Sequence, residues 1–193
     1  MGASASLSLC VILKSTSKIC PEPLNPNQVT PRCVFGVALE TLSEDGQMVQ
    51  GVPCVVKDMV EFLDQNGMNH RGLFRLCGSV VRTRQLRQRL DCGEKVSLEQ
   101  EGDIPTVASL LKLFLRELPV PIHFLDMTAD QLFPLNDVNV NQNLKENLCL
   151  LPDNHAMFLS YLIHFLSRVA SQSQTNHMPM ENLATIFGPC IFQ

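Results

Sequence analysis

Arg75 stands in a short run bracketed by glycines, Gly72-Leu73-Phe74-Arg75-Leu76-Cys77-Gly78. The two large apolar residues before it can sink into a core and leave the guanidinium aimed outward from a fixed base. Glycines supply the backbone conformations that such a turn needs. A planar guanidinium on a rigid loop can stabilise the charge that develops during phosphoryl transfer on another molecule. By residue type alone, an ordinary surface or ion-paired arginine is the simpler reading. A second set is Ser109, Lys112 and Arg116, spaced i, i+3, i+7 in a segment that is otherwise nearly all apolar. That spacing puts both cations on one polar stripe of a helix. The stripe could equally serve solubility or pair with Glu117. Residues 71–95 hold seven of the chain's fifteen basic residues, Arg71, Arg75, Arg82, Arg84, Arg87, Arg89 and Lys95, against Asp91 and Glu94. Such a patch suits an anionic partner surface, although for Arg82 to Arg89 alone a solvated helix face is the plainer reading. Nucleic acid is disfavoured, because no aromatic residue is interleaved for base stacking and tryptophan is absent.

Other chemistries find little support. His70, His123, His155, His164 and His177 show no metal-ligand spacing and read as surface or packed histidines. The eight cysteines, at 10, 20, 33, 54, 77, 92, 149 and 190, form no closely spaced zinc or redox pair. They read as reduced, mostly buried thiols of a cytoplasmic protein. No phosphate-binding glycine–lysine loop is present, so the chain does not read as a nucleotide binder itself.

The elements that must hold these residues read as helices. Val56, Met59, Val60 and Leu63 fall at i, i+3, i+4, i+7, which predicts a helix over 53–65, with Pro53 in its first turn and Asn66-Gly67 as its stop. Ser79 caps a helix through Leu90, with Val80, Leu86 and Leu90 turned inward. Thr106 caps a helix from Val107 to Leu118 that ends at Pro119. Shorter helices are expected at 128–133 and 141–150. A long helix runs from Asn154 to Ala170, with Met157, Tyr161, His164, Phe165 and Arg168 along helical spacing. A last apolar helix runs from Met180 to Phe187 and is closed by Gly188-Pro189. No strand shows convincing alternation, so the fold class is all-α.

Residues 1–34 read as a flexible tail, rich in serine and carrying Pro21, Pro23, Pro26 and Pro31. Its opening, with Gly2 after the initiator and Ser6, fits the loose acylation pattern. One acyl chain at Gly2 would give only weak membrane association. The chain has 193 residues, 45% of them hydrophobic and 18% charged, enough for one domain with its own core. The net charge of −4 argues against a whole-surface grip on nucleic acid or anionic lipid.

Three motifs carry a resemblance. They are Gly72-Leu73-Phe74-Arg75, the run Leu110 to Pro119 containing Lys112 and Arg116, and Asn182 to Pro189. In order and separation they look like the RhoGAP domain, a module that activates Rho-family GTPases, over residues 35–193. The opening run from Val34 to Leu39 is also similar. The texture faintly resembles the family-with-sequence-similarity-13 group. The resemblance implies a RhoGAP-type helical bundle and a GTP-bound Rho-family small GTPase as partner. Arg75 matches the arginine finger. Lys112 and Arg116 match basic positions facing the GTPase, and Asn182 matches an asparagine that contacts the partner or supports that groove. No cofactor of the chain's own is implied, since nucleotide and magnesium belong to the GTPase. The chain would then activate in trans rather than hold a substrate pocket of its own, in the cytoplasm, with recruitment to membrane left open. The other class of reading is a non-catalytic module that binds a GTPase or another protein. Cys190 stands where the family often has asparagine. The chain stops at Gln193, so the resemblance predicts a bundle lacking its last helices, less stable and less active than a longer version.

Overall fold

A computed structural model of the chain describes residues 33–119 and 151–191. The expected helices at 128–133 and 141–150, and all but the last two residues of the expected tail, lie outside them. Eight helices and one small hairpin are present among the described residues, which makes the fold all-α. In chain order these are α1 (Leu39–Glu44), β1 (Met48–Val49), β2 (Val52–Pro53), α2 (Cys54–Asn66) and α3 (Val80–Asp91). Then follow α4 (Leu98–Glu101), α5 (Ile104–Glu117), α6 (Asp153–Ser171), α7 (Ser173–Asn176) and α8 (Met180–Ile191). The hairpin is antiparallel, pairing Met48 with Pro53 and Val49 with Val52 across the turn Gln50–Gly51. Two-residue strands are too short to show alternation, so no strand is expected there from residue pattern.

Helix α2 forms where expected, because its apolar residues recur at helical spacing. Val56, Met59, Val60 and Leu63 are all buried. Pro53, however, ends β2 and stands at the cap rather than inside the first turn. Helix α5 packs on α2, α3 and α8 and so forms the centre of the bundle. It buries Val107, Ala108, Leu110, Leu111, Phe114 and Leu115. It also starts earlier than its sequence predicts. Asp103 is the cap, accepting the Thr106 amide and hydroxyl at 2.9 Å each. Thr106 is therefore a client of the cap, not the cap itself, and Pro105 fits the first turn without loss of a hydrogen bond.

Ser79 does cap α3, accepting the Arg82 amide. Leu86 turns inward, but Val80 is 70% exposed and does not. The reason is angular: six residues at about 100° each place Val80 roughly 120° away from Leu86 around the helix. Helix α6 turns His155, Phe158, Leu159, Leu162, Phe165, Leu166 and Val169 into the core. Of the spaced set read from sequence only Phe165 is buried there, while Met157 and His164 face outward. Helix α8 does not stop at Phe187 but continues through Gly188 and Pro189 to Ile191. Leu183, Phe187, Cys190 and Ile191 form one buried stripe at i, i+4, i+7, i+8, and that packing outweighs the proline. Cysteine burial also differs from expectation. Cys33, Cys77 and Cys92 are exposed, Cys54 is half-buried, and only Cys190 is buried among the described residues.

Candidate functional site

Between Gly72 and Gly78 the chain forms a tight turn rather than a helix or strand. Gly72 has φ of +74°, and the Arg75 and Leu76 amides both donate back to its carbonyl, at 2.9 and 3.0 Å. Leu73 and Phe74 are each 1% exposed. The Phe74 ring stands edge-on to Phe165 of α6 and Phe187 of α8, with centroids 6.1 and 4.8 Å apart. Phe74 itself has φ of +69°, an unfavourable region for a bulky residue, which its surroundings must enforce. Arg75 follows directly and is exposed. Its side chain makes no hydrogen bond or ion pair among the described residues.

Three anchors fix this loop. At its start the Gly72 amide donates to the Asn176 carbonyl at 2.7 Å. In the middle the Lys112 ammonium donates to the Phe74 carbonyl at 2.6 Å. At its end the Gly78 amide donates to Ser109 Oγ at 3.0 Å. Gly78 lies so close to α5 that a Cβ there would come within 2.3 Å of Thr106 Cα. The expected stripe of α5 is therefore real, but two of its three members face the loop: Ser109 and Lys112 hold it in place.

Lys112 is half-buried, and burial holds its ammonium below the usual lysine range, with Arg116 adding to the effect. The sulfurs of Cys77 and Cys190 act on it in the opposite sense. Burial pushes the Cys190 thiol up, against the pull of Arg116 and Lys112. Arg116 is exposed one turn further along α5. Lys112 thus reaches the loop at Phe74, one residue before Arg75, and Arg116 follows it by four residues along α5. Asn182 is exposed near the start of α8, and no side-chain bond among the described residues links it to the other three.

The basic patch divides. Arg82 pairs with Asp103 at 2.8 Å, Arg87 with Glu117 at 2.8 Å, and Arg89 with Glu94 at 2.6 Å and with Glu101. Arg87 also lies over the Phe35 ring, and Asp91 Oδ1 accepts the Val34 and Phe35 amides. These arginines tie α3 to its neighbours while their side chains stay 36–50% exposed, and Arg84 is exposed as well, so the face is solvated and also ion-paired. Sequence reasoning missed Asn176 and Asp103, the buried asparagine and the true helix cap. The described residues hold no group of three or more side chains suited to a metal ion.

The RhoGAP domain family model matches residues 53–193. The chain is 36% identical over 166 residues to Rho GTPase-activating protein 25 of Homo sapiens, covering 82% of this chain and 26% of that protein. It is 39% identical over 164 residues to Rho GTPase-activating protein gacJJ of Dictyostelium discoideum, covering 81% of this chain and 18% of that protein. It thus spans about a quarter or less of the length of these curated relatives. The crystal structure of human Rho GTPase activating protein 15 superposes with a TM-score of 0.75 at 27% identity, over 83% of this chain and 78% of that one. The matched segment contains the Arg75 loop, α5 and α8, and on these grounds the chain belongs to the RhoGAP domain family.

Proposed function

We propose that this chain accelerates GTP hydrolysis by a Rho-family small GTPase in its GTP-bound state, with Arg75 as an arginine finger supplied in trans. The GTPase supplies the nucleotide pocket, the magnesium and the residue that positions water. Arg75 supplies a planar cation that neutralises charge as the γ-phosphate departs. The observation that carries the reading is an exposed arginine, with no side-chain partner among the described residues, directly after buried Leu73 and Phe74 on a loop held by hydrogen bonds at Gly72, Phe74 and Gly78. A flexible cation would lose rotamer and backbone freedom on entering the site, and here the backbone part of that loss is made on folding. Arg116 and Asn182 contribute to the surface that meets the GTPase. The chain needs no cofactor of its own. No helix among the described residues is long and apolar enough to cross a membrane. Acylation at Gly2 would give a weak membrane association.

Single-turnover hydrolysis against a panel of Rho-family GTPases tests this. The wild-type chain is expected to accelerate at least one of them. Arg75→Ala should lose most of a stimulation that such fingers place at about 10³–10⁵, roughly 4–7 kcal/mol of barrier. Binding should persist. Arg75→Lys should largely fail as well, because an ammonium cannot copy the planar fork. Full stimulation by a folded Arg75→Ala chain would reject the catalytic reading, and binding without stimulation by the wild type would leave a non-catalytic GTPase-binding module.

A further inference from the structure

Asn176 lies at the turn between α7 and α8 and is fully buried. Its Nδ2 donates to the Val169 carbonyl at 2.8 Å and to the Met68 carbonyl at 3.0 Å. Its Oδ1 accepts the Met178 amide at 2.8 Å. Both amide protons and the amide oxygen are thus committed to main-chain groups. Such a side chain has one placement, because any shift leaves buried polar groups unpaired. Its main-chain carbonyl accepts the Gly72 amide at 2.7 Å. One residue therefore joins the end of α6, the segment after α2, the approach to α8 and the first residue of the Arg75 loop.

A network needed only to close the helical corner would not have to reach Gly72. The Phe74 socket points the same way. Phe74 packs on Phe165 and Phe187, one from each of the two helices whose junction Asn176 fixes. The loop's first hydrogen bond and its apolar anchor thus depend on the same corner. Arg75 follows Phe74 immediately, and misplacement by about 1 Å can cost a catalytic group on the order of 10²-fold in rate.

We infer that Asn176 is a positioning residue for Arg75, setting the finger's placement through Gly72 and the Phe74 socket without touching the GTPase. The inference rests on the proposed GTPase-activating function. Asn176→Ser keeps a small polar side chain but cannot make the three bonds. Asn176→Asp keeps the acceptor for Met178 and turns the second oxygen toward two carbonyls, which is tolerable only when the acid is protonated. Leu42→Ala, at a fully buried site on α1, serves as a destabilised control that leaves the corner intact.

Four quantities would be measured on each full chain below its unfolding temperature. They are single-turnover stimulation, affinity for the GTPase loaded with a non-hydrolysable GTP analogue, affinity for the GTPase with GDP and aluminium fluoride, and hydrogen exchange at residues 72–76. Asn176→Ser is expected to lose at least tenfold in stimulation and to lose the preference for the fluoride complex, as Arg75→Ala should. Its affinity for the GTP-analogue complex should stay within threefold, and the loop amides should exchange at least tenfold faster. Leu42→Ala should lower Tm yet keep stimulation and loop exchange near wild type. Stimulation by Asn176→Asp, normalised to wild type, should rise as pH falls from 8 to 5.5, because protonation restores one donor. If Asn176→Ser does not fold, the pH response of Asn176→Asp decides the matter, and a flat response overturns the inference. Stimulation by Asn176→Ser within threefold of wild type overturns it too, as does a loss matched by an equal loss of GTP-analogue affinity. A wild-type chain that stimulates no GTPase overturns the proposed function and this inference with it, whereas an active wild type beside an active Asn176→Ser overturns the inference alone.

Discussion

Lys112 looks from sequence like a cation presented to a partner, yet its ammonium lies 2.6 Å from the Phe74 carbonyl. A carbonyl so placed belongs to the residue before Arg75, so the lysine acts on the loop before it acts on any GTPase. Lys112→Met keeps most of the buried stem and removes the donor, leaving the Phe74 carbonyl unpaired. Stimulation should fall about 10- to 100-fold while affinity for the GTP-bound GTPase changes less than threefold. A contact role would reverse that pattern, with affinity and its salt dependence falling together. The pH dependence has a definite sign. Burial holds the folded value below the unfolded one near 10.5. Between the two values the unfolded chain holds a proton that the folded chain has lost, so this group adds stability as pH rises through that alkaline window. Lys112→Met has no such group. The Tm of wild type should therefore gain on that of Lys112→Met as pH rises toward 10.5, and a constant difference on that approach would contradict the buried placement.

At the scale of elements, legibility followed length and period. The apolar spacing of α2 and α5 and the Ser79 cap could be read directly, because each is a local pattern repeated over several turns. So could the turn around Arg75, since two apolar residues between glycines have few other uses. Helices α1, α4 and α7 and the hairpin are too short to show a period. The continuation of α8 past Pro189 depends on tertiary burial of Cys190 and Ile191, which no local rule contains. Asn176 was hidden for a related reason: its side-chain partners are main-chain groups, the furthest 108 residues away. Gly78 was legible as a turn residue but not as a contact. Its hydrogen atom faces Thr106 Cα where a Cβ would sit at 2.3 Å, against backbone that cannot rotate aside. Gly78→Ala must push the loop off the first turn of α5 and stretch the bond to Ser109. The cost should be about 1–3 kcal/mol of stability, as for other overpacked sites, with loss of stimulation beyond that of Ser109→Ala. Urea unfolding of both variants measures it, and an alanine variant as stable as wild type would show that the loop and α5 are not in fixed contact.

Over the whole molecule, charge is arranged to serve the fold more than long-range attraction. The chain carries a net charge of −4 although seven of its fifteen cations fall within residues 71–95. Arg82, Arg87 and Arg89 are spent on Asp103, Asp91, Glu117, Glu94 and Glu101. Their field beyond the surface is therefore close to that of neutral pairs. Arg71, Arg75, Arg84 and Lys95 remain exposed. Four separated cations on an acidic protein give weak steering, screened beyond about 10 Å at 0.1 M salt. Arg75 must then act at contact, inside a water-poor site, where one charge is worth far more than at long range. Association with the GTPase should accordingly be slow for a charged pair, about 10⁵–10⁶ M⁻¹s⁻¹. It should fall less than about tenfold as salt rises from 50 to 500 mM, and hydrolysis within the complex should hardly change. Stopped-flow mixing with a GTPase carrying a fluorescent GTP analogue separates the two steps. A hundredfold fall in the association rate over that range would mean that the internal pairs of α3 open on binding and that the basic patch acts as one field, contrary to the pairing seen here.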